Sequence, residues 1–184
     1  NNDMDCATTP PTDKDFVQGL VKIYEDATYK FWDNEVLSII DRHISNSQKT
    51  KTETFQLLSH VSAFPPSAMA KYTSLLGFCY QYGIGAPYFY GKAFELYNDA
   101  ARLGDGFALT QVGMCFRLGS GISCDHDSAI KYYEKAAIAG HPQGMYKHAG
   151  YQRGRKQALW YLKAAEKGFQ PAMLRVSGLY KKGA

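Results

Sequence analysis

The sequence lacks most of the devices that announce a chemistry or a compartment. Its four cysteines, Cys6, Cys79, Cys115 and Cys124, form no C-x-x-C pair, which removes the common zinc-ligand spacing. No apolar run approaches the roughly 20 residues of a membrane-spanning helix, and no charged-then-apolar leader opens the chain. A strong charge of one sign is missing too. With 21 Lys and Arg against 17 Asp and Glu, the net charge of +4 is too modest and dispersed for nucleic acid, although it suits an acidic peptide partner. There are no paired carboxylates in an apolar setting, no serine in a nucleophile elbow and no phosphate-binding glycine loop. Gly83-Ile84-Gly85 has neither the strand nor the spacing such a loop needs. These absences argue against an enzyme and give no sign of a cofactor. The first residue is asparagine rather than methionine, which reads as a fragment or a processed product.

What the sequence has is a repeat. Gly77, Gly83, Gly85, Ala93, Tyr97, Ala100, Ala101 and Gly104 recur 36 residues later as Gly113, Gly119, Gly121, Ala129, Tyr133, Ala136, Ala137 and Gly140. A fixed period of that size marks a solenoid, whose units bury their apolar faces only by stacking on neighbours. Leu76, Cys79 and Tyr80, matched by Val112, Cys115 and Phe116, have the spacing of an amphipathic first helix. Gly77 and Gly113 would let a second helix approach closely, outweighing the cost of about 1 kcal/mol that glycine carries inside a helix. Gly83-Ile84-Gly85 and Gly119-Ser120-Gly121 supply turns in which positive φ is free, and Gly104 and Gly140 close the second helices. Each unit is therefore a helical hairpin. At 45% hydrophobic and 14% aromatic residues, the chain can bury one sizeable core.

The order Leu-Gly-x-x-Tyr-x-x-Gly-x-Gly (Leu76 to Gly85), then Ala-x-x-Tyr-Tyr-x-Lys-Ala-Ala-x-x-Gly (Ala129 to Gly140), resembles the Sel-one-like repeat (SLR) family, relatives of the tetratricopeptide repeat. Leu75 to Gly85, with Phe78 and Cys79, is similar to large fungal SLR families that often accompany kinase-like domains. The resemblance implies an all-α solenoid, a right-handed superhelix whose first helices line a concave side. It also implies a non-enzymatic interaction scaffold or adaptor of the kind used in signalling. Some secreted bacterial SLR proteins staple their hairpins with disulfides. Their cysteine spacing is not reproduced, which favours an intracellular, reducing setting over secretion.

The expected organisation is a disordered polar tail (1–11), an N-terminal helical cap (12–66), repeat 1 (67–105), repeat 2 (106–141) and a shortened repeat 3 (142–169). The segment 170–184 is then the first helix of a fourth repeat or a C-terminal cap. In the N-terminal region, Thr12 with Asp15 and Thr50 with Glu53 form capping boxes, and Asp33 stands where a helix cap is expected. Val61 belongs to the third helix, which Pro65-Pro66 ends. Trp160, Tyr161, Ala164, Ala165 and Gly168 restore the pattern at an offset of 28, eight residues short. The third hairpin should therefore be shorter, turning near Arg153-Gly154-Arg155.

Candidate metal groups have simpler readings. In Cys124-Asp125-His126-Asp127 one aspartate serves as a helix cap, and His141 and His148 are a turn residue and a core residue. The partner surface is the first-helix face. Four residues beyond the repeat glycine stand Gln81, Arg117, Arg153 and Lys181, and two before it Leu75, Gln111, Lys147 and Arg175. Phe78, Tyr82, Thr110, Met114, Leu118 and Tyr146 lie among them. An aromatic floor followed by a basic column suits an acidic peptide, because guanidinium groups pair bidentately with carboxylates. A solvated helix face with scattered charges would show the same pattern, and RNA binding is the alternative function. The oligomeric state is open.

Overall fold

The computed structural model describes residues 12–60 and 68–181. The expected tail with Cys6, Val61, the Pro65-Pro66 stop and Lys182 to Ala184 lie outside these residues, as does the side chain of Tyr180. Ten helices and no strand run through the described residues. They are α1 (Asp13–Lys30), α2 (Asp33–Asn46), α3 (Lys51–Ser59), α4 (Met69–Tyr82), α5 (Tyr90–Arg102), α6 (Gly106–Leu118), α7 (His126–Ile138), α8 (Pro142–Ala149), α9 (Gly154–Glu166) and α10 (Gln170–Lys181). Helices α4 and α5, α6 and α7, and α8 and α9 pair as successive hairpins, and α10 stacks on α9.

The repeat glycines act as their spacing predicts. A Cβ on Gly77 would stand 3.2 Å from the Tyr97 ring and one on Gly113 only 2.8 Å from the Tyr133 ring, so each hairpin closes by laying a buried tyrosine across a bare stretch of backbone. Gly83 and Gly119 end α4 and α6 at φ 67° and 70°, in the left-handed region that favours glycine. Gly85 and Gly121 do a further job. Their α-carbons press on the backbone of Lys51 in α3 and of Tyr90 in α5, where no side chain fits.

This contact shows what α3 is. Lys51 and Phe55 meet Gly85 and Tyr80 as Tyr90 and Phe94 meet Gly121 and Phe116, with edge-on rings whose centres are 5.2 Å apart in the first pair and 5.7 Å in the second. Thr54 and Leu58 are buried where α5 buries Ala93 and Tyr97. The expected N-terminal cap thus contains a helix seated as the second helix of a preceding unit, at an offset of 39 rather than 36 residues. Its Thr50 and Glu53 form the capping box that the sequence predicts, as Thr12 and Asp15 do for α1.

The third hairpin is shortened on one side. Helix α8 has 8 residues against 13 in α6, and four residues rather than seven connect it to the next helix, while α9 keeps all 13 residues of α7. The eight lost residues therefore come five from the first helix and three from the turn. Arg153 is the N-cap of α9, so the turn occupies Gly150 to Arg153.

Between the repeats lie buried polar groups. Lys71 of α4 bonds the wholly buried carboxylate of Asp105 at 2.8 Å and Glu25 of α1 at 3.3 Å. Asp105 in turn accepts from the Ala108 N–H at the start of α6. Next to it His141 is 1% exposed, edge-on to Tyr29 at 4.9 Å, with no hydrogen-bond partner for either ring nitrogen. Burial first, and the Lys71 charge second, push its pKa from 6.5 down to about 3.

Two outcomes follow from this packing. Gly113→Ala drives a methyl into Tyr133 and should cost roughly 1 to 3 kcal/mol in urea unfolding, by overpacking. His141 is neutral when folded and protonates below pH 6.5 when unfolded, so its contribution is full above that value and declines as pH falls toward 3. Across pH 7 to 4 the wild-type protein should lose stability more steeply than His141→Phe, by several kcal/mol at the acid end. Parallel curves would show that His141 does not carry the difference.

Candidate functional site

The first helices of the repeats, α4, α6 and α8, share one face, and the chain's own N-terminal segment lies on it. Tyr24 of α1 packs edge-on against Phe78 of α4 and Phe107 of α6, both at 5.4 Å, and its hydroxyl meets Ser74 Oγ at 3.1 Å. At the corner between α1 and α2, Trp32 sets its ring edge-on to Tyr146 and Phe169 at 5.1 and 5.0 Å. Asp33 follows. Its carboxylate accepts from the Tyr82 hydroxyl at 2.9 Å, Gln111 Nε2 at 3.1 Å and Gln143 Nε2 at 2.9 Å, one donor from each of α4, α6 and α8. Trp32, not Asp33, is the N-cap of α2, and Asp33 turns inward because three donors await it there.

Beyond this corner the face stays open. Arg117, Tyr133, Tyr146, Lys147, Gly150, Tyr151 and Tyr161 line a cavity of about 350 Å³. Its site follows from the deletion: α8 stops five residues early, about 7 Å of helix, and the ground beside the end of α6 is left uncovered. Two tyrosine pairs form its walls, Tyr133 stacked on Tyr151 at 5.8 Å and Tyr146 tilted against Tyr161 at 5.0 Å. Lys147 Nζ sits 4.6 Å from the centre of the Trp32 ring. Burial, then the Arg117 charge, lower its pKa against the opposing pull of Asp33. Burial raises the Tyr133 hydroxyl to about 12 despite nearby Arg117, so it stays a proton donor near neutrality. Arg175 stands over the Tyr161 ring at 6.0 Å.

A second cavity, of about 420 Å³, lies between α9 and α10 and is lined mainly by Ala158, Leu162, Val176 and Leu179. Among the described residues no group of three or more histidine, cysteine or carboxylate side chains could hold a metal. Asp125 caps α7, while His148 is buried against Trp160. Cys79 and Cys115 are buried free thiols, both raised by burial to about 12, and Cys124 is an exposed one. No described helix is long and apolar enough to cross a membrane.

Stacked hairpins with this glycine and tyrosine pattern match a family model, the Sel1 repeat, at residues 73–105, 106–141 and 158–169. The chain is a Sel1-repeat protein. The break in the third match falls on the shortened helix α8. Among solved structures, a Sel1 repeat protein from Oxalobacter formigenes is 27% identical with a TM-score of 0.61, over 72% of this chain and 58% of that one. A protective antigen of uropathogenic Escherichia coli strains displaying an SLR fold is 19% identical with a TM-score of 0.64, over 94% of this chain and 42% of that one. Helicobacter pylori cysteine rich protein B is 23% identical with a TM-score of 0.52, over 76% and 97%. The chain thus spans 58% and 42% of the first two proteins. Sel1-repeat proteins are, as a family, helical scaffolds for protein interactions and generally not catalysts.

Within this Sel1-repeat protein the expected binding residues divide into four groups. Phe78 and Thr110 are fully buried, the first beneath Tyr24, so neither is open to a partner. Tyr82 and Gln111 serve Asp33, and Gln81 donates to the Tyr82 hydroxyl at 3.2 Å. Leu75 is core, and Leu118 is exposed. Arg117, Tyr146 and Lys147 line one cavity, with Arg175 beside it and Met114 touching Arg117 through its sulfur at 3.7 Å. Arg153 and Lys181 are exposed but do not line it. Tyr133, Tyr151, Tyr161 and Trp32 join the site unannounced. The eight-residue deletion was the signal that could have found them.

The Asp33 arrangement predicts a measurable cost. Asp33→Ala leaves three donors from three helices unpaired and should destabilise the protein by roughly 3 kcal/mol in urea unfolding, since such bonds to a charged group contribute about 1.5 to 3 kcal/mol each without adding fully. A loss below about 1 kcal/mol would mean that water replaces the carboxylate at little cost.

Proposed function

We propose that this Sel1-repeat protein is a non-enzymatic scaffold that binds an acidic segment of a partner protein along the open part of its first-helix face, from Arg117 past Lys147 to Arg175. The observation that carries this reading is the cavity itself. Two cations line it, four tyrosines wall it, and among the described residues no carboxylate lies within ion-pair distance of either cation. The covered part of the face supports the same chemistry. There an acidic residue, Asp33, and an aromatic one, Trp32, already dock on glutamines, tyrosines and a lysine. A partner segment with acidic and aromatic side chains would extend that pattern. Association of this kind rests on a few desolvated anchors rather than on area.

The test is affinity capture followed by measured binding of the captured partner. Arg117→Glu should weaken it at least tenfold, about 1.4 kcal/mol, whereas Arg153→Glu, outside the cavity, should change it little. Equal loss from both variants would indicate general electrostatic attraction, and no loss from Arg117→Glu would overturn the reading. RNA would show itself by a steep fall of affinity with salt and a ribonuclease-sensitive complex.

A further inference from the structure

The cavity at Arg117 and Lys147 has a charge requirement that the other described residues do not meet. Lys147 is held half-buried between the Trp32 ring and the Arg117 charge, an arrangement that costs free energy as long as no anion shares the space. Among the described residues Asp33 is the carboxylate that acts on it, and both its oxygens already receive donors from α4, α6 and α8. Among the described residues the partners of Arg117 are neutral, the Met114 sulfur at 3.7 Å and the neighbouring Tyr133 hydroxyl. The Tyr133 hydroxyl is protonated and lies beside Arg117, which can only donate to it, so its own O–H is a third donor on the same wall.

The chemistry of the missing partner follows from that count. A carboxylate would balance one of the two cations. A phosphate monoester carries a charge of about −1.5 to −2 near neutrality with three acceptor oxygens, which matches two cations and a phenolic donor, and Arg175 at the rim adds a third cation. Gly150 lines it with bare backbone where the chain turns out of α8. We infer that the cavity opened by the shortened repeat is a phosphoryl-group site, taking the phosphate monoester of a phosphorylated side chain on the partner. This rests on the partner-binding reading for its biological setting, but the site can be tested without a partner.

The test uses the full chain with inorganic phosphate and phenyl phosphate as probes, acetate as the carboxylate control at equal ionic strength, and amide NMR with thermal melting as readouts. Both phosphates should shift the Gly150 and Tyr151 amide signals in a saturable way and raise Tm, while acetate should do neither. Arg117→Gln and Lys147→Gln should each remove the saturable shift. Lys147→Gln should leave the unliganded protein as stable as before or more so, since it removes a poorly solvated charge, and this keeps the experiment informative. Phosphate also stabilises proteins by exclusion from their surface, so a Tm gain that survives in both variants overturns the site. So does acetate matching phosphate, or perturbation spread over all basic residues. Should phosphate bind here while Arg117→Glu leaves partner capture intact, the site stands and the scaffold reading falls. Should partner capture depend on Arg117 while phosphate does not bind, the reverse holds.

Discussion

One carboxylate ties this molecule together. Stacked repeats communicate only with their neighbours, so nothing in a plain solenoid links the first hairpin to the third. Asp33 does so, by accepting from Tyr82, Gln111 and Gln143 on three successive first helices. It stands in the first turn of α2, where its charge also suits the helix dipole. The α1–α2 corner thereby becomes a strut laid across the array, with Tyr24 fixing one end against Phe78 and Phe107 and Trp32 fixing the other against Tyr146 and Phe169. The strut covers the start of the first-helix face and leaves its far end open.

The repeats were legible for a simple reason. Gly77 against Tyr97 and Gly113 against Tyr133 are contacts between residues about half a period apart, so the constraint is written twice at the same spacing. Capping boxes at Thr12 and Thr50 are equally local. The strut was not legible. Gln111 and Gln143 stand 78 and 110 residues from the carboxylate they share, and glutamine on a helix carries no sign of its partner. The same limit explains the binding residues: Phe78 looks like an open floor until one knows that Tyr24 covers it. The cavity was half visible, since the missing eight residues could be counted and assigned to the glycine turn and the adjoining helix, but only the structure shows that Tyr133, Tyr151 and Tyr161 become its walls.

Shortening α8 also illustrates how a repeat protein acquires an individual site. Identical units give identical surfaces, and a pocket present in every unit would discriminate nothing. A local loss in one unit breaks the symmetry while the second helix α9 keeps its length and its stacking residues, Tyr161 and Ala164, in place. The fold tolerates the loss because the inter-repeat contacts run mainly through second helices and the helix starts that follow them, as at Ala164, Phe169 and Ala172.

The seat taken by α3 gives the array a direction. On its inner side α3 offers Thr54, Phe55 and Leu58 to α4, but its outward residues are Thr52, Glu53, Gln56 and Ser59, all polar. At the opposite end Leu159, Met173 and Leu174 are exposed and apolar. A further unit laid against α3 would have to desolvate polar side chains for nothing in return, whereas one laid against α10 would find a surface of its own kind. The two ends of the described array therefore differ as docking surfaces, the α3 end wetted and the α10 end adhesive.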